Sequence, residues 1–567
     1  MNKIKQFFAL LKRLNFIVQN SGDFNFKLVI VLLVFKAFFE TVGIGLIYPF
    51  MDLVLNKDQI SSNLIYTLIH NYYESINKDN FLVLYGITLI IFFCFSTMIS
   101  VLAKIRADNF IWNINTRIIK ISYKKYIYES LTVFKKSNSN KITHDVINEV
   151  HIFINGFLVN FIDFIPRLFL LIFLVSYLLI INPWVTLVSL TILLAFYGGL
   201  LEVLKSKINK MSNERYLYQN SLFDYVNSSI RALKDIKTNS FEPYFIDKIG
   251  TPANNFSMLN KGISIYSSIP KFLIESSVLI SLVVYVLFNF NEETAVKQFP
   301  MLSVLSLALI KLLPIIQGMF TNITRIRFNF KSLFVIEDNL IKSKERINKT
   351  KVEKELFHSL ELKNISFAYD SKKVLNNQNF RFNQGDFWLL YGESGSGKTT
   401  FTEIMLGFLT PNSGEIRLND ATWSNEELLS KRINLGYVSQ DIILFEGDLI
   451  ENITLKSKNA SPIILKKINS LIELCALEDV VDSIGGINGF ISEGGKNLSA
   501  GQKQRIIIAR ALFKDPELLV LDEATSALNA KLEAQILQRL VNTDISIFMI
   551  THNENLKKYT DKILVLK

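Results

Sequence analysis

The chain has 567 residues, 49% of them hydrophobic, with 45 Phe, two Cys and a formal net charge of +11. That length exceeds one ordinary domain, and two cysteines, Cys94 in an apolar run and Cys475 far downstream, exclude a disulfide framework. The basic residues form no single stripe of the kind nucleic acid needs; they flank apolar runs instead, as the positive-inside rule expects.

Residues 1–26 carry Lys3, Lys5, Lys12 and Arg13 among broken apolar stretches with no small-residue cleavage site, which reads as a basic amphipathic helix on the cytoplasmic surface. Apolar runs then dominate to about residue 330. Six are long enough to cross a hydrocarbon core of roughly 30 Å: Leu28–Leu53, Phe81–Ala103, Phe157–Ile181, Trp184–Leu204, Ile269–Phe290 and Phe299–Phe320. The connections 104–151 and 205–267 are rich in Lys and Arg, whereas 54–80 has only Lys57 and Lys78 and 291–298 has only Lys297. Both termini and both long connections are therefore expected in the cytoplasm. Each connection reads as continuing helix broken once, at Lys135–Asn140 and at Lys237–Pro243.

Ionisable residues inside spans are costly. Asp163 and Arg167, and Lys271 and Glu275, are four apart, so each pair can meet on one helix face. Glu40 and Lys311 also interrupt apolar sequence. Two readings stand: these groups line a polar substrate path, or they are structural pairs near a membrane interface.

From Arg325 to about Phe357 the chain turns charged and helical, so 331–357 reads as a linker. From residue 358 short strand patterns alternate with helical ones, as in an α/β domain. Its centre is Tyr391-Gly392-Glu393-Ser394-Gly395-Ser396-Gly397-Lys398-Thr399-Thr400, after the apolar run Phe387–Leu390 and before the helical pattern Phe401–Leu409. On its own such a string could be an ordinary glycine-rich turn. Between a strand and a helix it is a P-loop, whose backbone N–H groups and helix N-terminus cradle phosphate. Lys398 is placed to reach the β- and γ-phosphates and Thr399 to ligate Mg²⁺. The domain thus binds a nucleoside triphosphate.

Further residues follow in order. Tyr369 ends a strand as an aromatic able to stack on a base. Gln440 ends another as an amide able to contact Mg²⁺ or the attacking water. Leu498–Arg505, with Ser499, Gly501 and Gln502, opens a helix whose N-terminus suits phosphate. The strand Leu518–Leu521 ends in Asp522, fit to hold Mg²⁺, and Glu523, fit to act as general base on water. His552 follows the strand Ile545–Ile550 and brings an imidazole near the γ-phosphate. Each alone reads equally as packing or surface; the set in this order after a P-loop does not.

That set resembles the ATP-binding cassette transporters, of the exporter half-transporter type, and the resemblance covers the whole chain. It implies an α-helical six-span membrane domain (27–330) followed by an α/β P-loop nucleotide-binding domain (358–567), with ATP and Mg²⁺ as cofactors. By resemblance Tyr369 is the adenine-stacking aromatic, Gln440 the Q-loop glutamine, Leu498–Gln502 the signature motif, Ser526–Asn529 the D-loop, Glu523 the catalytic carboxylate and His552 the switch histidine. The breaks near Asn138–Asp145 and Asp235–Glu242 look like coupling helices. A second half-transporter is implied, a homodimer or a heterodimer, since the signature motif closes over the partner's nucleotide. Two departures stand out: Ala500 where glycine is usual, and Asn529 where aspartate is usual.

Phe39–Phe50 and Ala308–Pro314 are similar to stretches of bacterial lipid-linked oligosaccharide flippases. The leading expectation is ATP-driven movement of an amphiphile, a lipid-linked saccharide or lipid, across a bacterial inner membrane, with lipid as partner and no nucleic acid. Export of a peptide, bacteriocin or drug, or a membrane sensor that hydrolyses ATP without transport, are the alternatives. The lack of a domain before the first span weighs against a leader-cleaving peptide exporter, and the short loop 291–298 against a sensor.

Overall fold

The computed structural model describes residues 13–19, 26–55, 78–129, 139–181, 183–289, 312–347, 354–369, 372–393, 395–423, 429–456 and 461–566. Ser394, Lys311, most of the first connection's tip and the first half of the sixth expected span lie outside them. The described residues fall into two compact units, one ending at Ile347 and one beyond it.

The first unit is helical: α1 (Phe26–Leu55), α2 (Lys78–Ile127), α3 (139–181), α4 (Pro183–Arg231), α5 (Leu233–Asn239), α6 (Glu242–Asn289), α7 (312–328) and α8 (Phe330–Ile347). Among the described residues three stretches, Phe26–Ile47, Leu82–Ile127 and Lys141–Ile180, are long and apolar enough to cross a membrane. They lie on α1, α2 and α3. The fourth and fifth expected spans fall within α4 and α6, two further long helices. The α4–α6 connection breaks at Ser240, whose φ of 56° ends α5 before α6 begins at Glu242. Within α3 the turns His144–Asn148 and Phe153–Leu158 widen to π-helix.

Apolar spacing explains how these helices meet. On α8, Leu333, Ile336 and Leu340 recur at helical period and are buried with Ile111, Ile114 and Ile118 of α2 and Phe153, Phe157 and Ile162 of α3. The helix 13–19 adds Leu14, Ile17 and Val18 to this core, and its Arg13 pairs with Glu337 at 2.8 Å. The charged segment after residue 330 thus packs as an amphipathic helix. A buried polar cross-tie accompanies the core: Arg215 of α4 reaches Glu149 of α3 at 3.3 Å.

The ionisable residues expected inside spans sort unevenly. Lys271 and Glu275 lie 3.8 Å apart, as their spacing allows. Asp163 does not turn to Arg167; it faces Lys104 of α2 at 3.8 Å, while the Arg167 guanidinium packs over Gly318 of α7. The reason is that α2 presents a cation beside Asp163, and Gly318 opens room for Arg167. Glu40 accepts a hydrogen bond from Ser100 at 3.0 Å and faces Lys36 at 3.9 Å.

The second unit is α/β. A four-stranded antiparallel sheet has the order β2-β1-β4-β5, with β1 Ser359–Tyr369, β2 Lys372–Asn383, β4 Ser413–Leu418 and β5 Ala421–Thr422. A five-stranded parallel sheet has the order β11-β3-β10-β9-β6, with β3 Phe387–Gly392, β6 Leu435–Val438, β9 Leu518–Asp522, β10 Ser546–Ile550 and β11 Ile563–Leu566. A short antiparallel pair joins β7 Gly447–Asp448 to β8 Phe490–Ile491. Every residue of β9 and β10 is buried, the pattern of strands covered on both faces. Alternation along them builds two cores: Leu519, Leu521, Ile547 and Met549 pack on one face, and Leu518, Val520, Phe548 and Ile550 on the other.

Candidate nucleotide site

In a parallel sheet the carboxyl ends of the strands share one edge, where ligands bind. Here β3 ends at Gly392, β9 at Asp522, β10 at Ile550 and β6 at Val438, so the P-loop, Asp522–Glu523, Thr551–His552 and Gln440 all emerge together.

The P-loop leads into α9 (Lys398–Met405). Gly397 sits at φ 91°, a backbone region that side-chain-bearing residues rarely adopt. At Gly392 a Cβ would fall 2.5 Å from the Leu566 carbonyl oxygen and 2.7 Å from Ser396 Oγ, so the loop closes only on glycine. The Lys398 ammonium donates to the Gly392 and Glu393 carbonyl oxygens at 2.8 and 2.9 Å, and burial pulls its pKa down. The Ser396 hydroxyl is buried without a hydrogen-bond partner among the described residues. A polar atom of that kind inside a glycine turn suits a phosphate oxygen. Thr399 is exposed beside it.

Across the edge, Glu523 is gripped on both oxygens. Gln440 Nε2 donates to Oε2 at 2.9 Å, and His552 Nε2 lies 2.8 Å from Oε1. Its backbone holds φ at 50°, a left-handed conformation that costs a glutamate on the order of 1–3 kcal/mol. The Glu523 N–H donates to the Ile550 carbonyl at 3.1 Å, extending the sheet ladder by one step and fixing the turn. Asp522 is 7% exposed; burial first, then the charges of Glu523 and Glu403, push its carboxyl up to about 6. The Tyr437 hydroxyl bonds to it. Thr399, Gln440 and Asp522 together offer hydroxyl, amide and carboxylate oxygens, hard donors that fit Mg²⁺.

Tyr369 ends β1, is 47% exposed and sets its ring edge-on to Phe367 at 4.9 Å, a placement that suits stacking. Thr400, the third residue of α9, is buried. Ser499 and Gln502 complete a reciprocal cap on the helix Ala500–Leu512: Gln502 N donates to Ser499 Oγ at 3.3 Å and Ser499 N to Gln502 Oε1 at 2.9 Å. A Cβ on Gly501 would meet the Ala527 carbonyl at 3.0 Å, so this helix rests directly on the loop Ser526–Asn529.

Two groups that the sequence did not single out organise this edge. Gln504 is 3% exposed; it accepts from Ala527 N at 2.9 Å and donates to Ser526 Oγ at 3.2 Å. Glu533 is 7% exposed and accepts from Thr525 and Asn553. Burial marks both, and burial of a polar side chain is invisible in one sequence.

Residues 375–526 match the family described as ABC transporter. The chain is an ABC transporter of the exporter half-transporter type. The ATP-dependent lipid A-core flippase of Burkholderia pseudomallei is 26% identical over 463 residues, spanning 78% of this half-transporter and 75% of that protein. The lipid A-core flippase of Ralstonia nicotianae is 34% identical over 214 residues, 37% and 36% of the two chains. The structure of a bacterial Atm1-family ABC exporter with ATP bound superposes with a TM-score of 0.74 over 96% of this chain and 94% of that one, at 18% identity, so the fold is shared. This half-transporter is an ATPase coupled to transmembrane movement. Its helical region precedes one nucleotide-binding domain in a multi-pass membrane protein that works as a dimer.

Proposed function

We propose that this half-transporter is a homodimeric pump that moves an amphiphile, a lipid-linked saccharide or lipid, across a bacterial inner membrane by alternating access. The carrying observation is the extent of the flippase similarity. A match over 463 residues cannot fit within the 210 residues from 358 to 567, so it runs through the helical region that would hold the substrate. Six spans, cytoplasmic termini and coupling helices at the two connection breaks belong to the same reading.

At the nucleotide site Glu523 takes a proton from water, oriented for that task by Gln440 and His552. Lys398 offsets phosphate charge, Tyr369 stacks on the base, and the P-loop residues Gly392–Thr400 cradle the phosphates. Thr399, Gln440 and Asp522 would hold Mg²⁺, which would neutralise phosphate charge there. Ser499, Gly501 and Gln502 face the nucleotide of the partner copy.

The test is reconstitution into proteoliposomes, with ATPase and lipid translocation measured together. A lipid-linked saccharide should stimulate ATPase, and its ATP-dependent translocation should vanish in Glu523→Gln. Stimulation by peptides or cationic drugs alone would overturn the substrate class.

A further inference from the structure

Glu523 and His552 sit on separate loops, after β9 and after β10, and the last backbone bond between the two, from the Glu523 N–H to the Ile550 carbonyl at 3.1 Å, stops short of both His552 and the residues that follow Glu523. A side-chain tie is what holds the loops together beyond that bond. The helix Ala530–Val541 follows the D-loop, and one turn into it stands Glu533, a carboxylate that is 7% exposed and forms no part of the nucleotide contacts. Its Oε1 accepts from Thr525 Oγ1 at 2.6 Å, and its Oε2 accepts from Asn553 Nδ2 at 3.0 Å. Thr525 is two residues past Glu523, and Asn553 directly follows His552. Asn553 is itself locked: its N–H donates to Thr551 Oγ1 at 3.0 Å, and its Oδ1 accepts from Asn555 N at 3.1 Å. Charge-assisted bonds at both ends, the one from Thr525 short and buried and the one from Asn553 partly buried, make the carboxylate a strut.

We propose that Glu533 is a positioning residue for hydrolysis, tying the loop of Glu523 to the loop of His552 so that their 2.8 Å contact holds. The inference rests on the roles given above to Glu523 and His552. Neither oxygen of Glu533 touches the nucleotide machinery, so the strut acts on turnover and not on nucleotide affinity. A shift of about 1 Å between catalytic groups can cost up to about a hundredfold in rate.

The experiment is steady-state ATPase of the full-length protein in nanodiscs, with Glu533→Ala, Glu533→Gln, Asn553→Asp, His552→Ala and the double variant Glu533→Ala/His552→Ala. Glu533→Ala should lower kcat about tenfold or more with KM for ATP within about twofold. Glu533→Gln should recover to within about threefold of the parent, because its amide accepts from Asn553 and donates to Thr525 Oγ1. Asn553→Asp opens no cavity and keeps its bond to Asn555, yet it sets two carboxylates against each other. It should fall with Glu533→Ala, and it carries the test if that variant does not fold. On the His552→Ala background Glu533→Ala should cost less than about twofold, because the geometry it maintains is already gone. Parental kcat in Asn553→Asp, or an equal fold-loss on both backgrounds, would overturn the strut and leave the site reading intact. Parental kcat in His552→Ala would overturn the site reading itself, and the strut with it.

Discussion

Glu523 Oε1 and His552 Nε2 meet at 2.8 Å, on a glutamate whose φ of 50° lies in the left-handed region. A strained backbone held by a sheet hydrogen bond and two side-chain partners places the carboxylate instead of leaving it to sample rotamers. Glu523→Gln keeps the shape and removes the basicity. Its kcat should fall by at least about a hundredfold while ATP binding stays within about threefold. Equilibrium binding of a fluorescent ATP analogue beside single-turnover hydrolysis would check both halves. Retained turnover would remove Glu523 from the base role.

Arg505 and Asp479 tie the signature helix to the preceding helix Glu478–Ile484. The guanidinium, 5% exposed in its side chain, donates to both carboxylate oxygens at 2.7 and 2.8 Å, and it holds the Asp479 carboxyl below the usual aspartate range. A depressed folded-state pKa gives a stabilising contribution that is complete above the unfolded value of about 3.9 and fades as pH falls through the folded one. Asp479 is 57% exposed in its side chain, so solvent screening limits the effect to about 1 kcal/mol. Asp479→Asn should therefore melt a few degrees below the parent from pH 5 to 8, with the gap closing below about pH 4. Melting curves of the nanodisc-embedded protein, read by tryptophan fluorescence across pH, would show it. A gap that widens toward acid would contradict the sign.

Asn529 departs from the aspartate usual in ABC D-loops, and the structure gives it local work. Its Oδ1 accepts from Leu532 N at 2.9 Å and caps the helix that carries Glu533. Aspartate offers the same acceptor, so Asn529→Asp should leave stability within a few tenths of a kcal/mol, whereas Asn529→Ala should lose about 1 kcal/mol. Denaturant midpoints of the three proteins decide this. A large gain from aspartate would mean that its charge, and not its cap, is what the position lacks.

Motifs with a fixed local geometry were legible in the sequence. The P-loop turn, the carboxylates at the end of and just after β9, Gln440 two residues after β6 and His552 after β10 all follow from strand ends that hydrophobic pattern reveals. What was not legible depends on partners distant in sequence. Asp163 finds Lys104 across helices instead of Arg167 along its own, and nothing in a four-residue spacing ranks those choices. Gln504 and Glu533 are polar residues on helices, and only packing against other elements buries them. The span count is limited differently: three spans satisfy length and apolarity among the described residues, while the sixth expected span is only partly described.

Gly156 of α3 faces Asn329, in the turn between α7 and α8. A Cβ there would stand 2.5 Å from Asn329 Cγ and Nδ2, and that amide donates to the Gly156 carbonyl at 3.3 Å and to the Arg325 carbonyl at 2.9 Å. Asparagine is too short to swing aside while keeping both bonds. Gly156→Ala should cost about 1–3 kcal/mol by overpacking, and adding Asn329→Ala should recover part of it, since the clash disappears with the amide. Thermal midpoints of the two singles and the double test this; strictly additive losses would show that the two residues do not contact each other.

Ser396 offers the sharpest separation of stability from binding. Its hydroxyl is buried in the P-loop with no hydrogen-bond partner among the described residues, a situation that costs the protein without nucleotide about 1–3 kcal/mol in lost hydration. If a phosphate oxygen is the missing partner, removing the hydroxyl has opposite effects on two measurements. Ser396→Ala without nucleotide should melt at the parental temperature or slightly above it, because an unsatisfied group has been deleted. With ATP and EDTA present, to prevent turnover, the stabilisation by ligand should shrink, and Kd should rise about fivefold, near 1 kcal/mol. Glu523→Gln under the same conditions is the control, since its P-loop is untouched and its ATP-induced shift should match the parent. A Ser396→Ala protein that melts lower without nucleotide and keeps the full ATP shift would assign the hydroxyl to holding the loop together, and would take it off the phosphate.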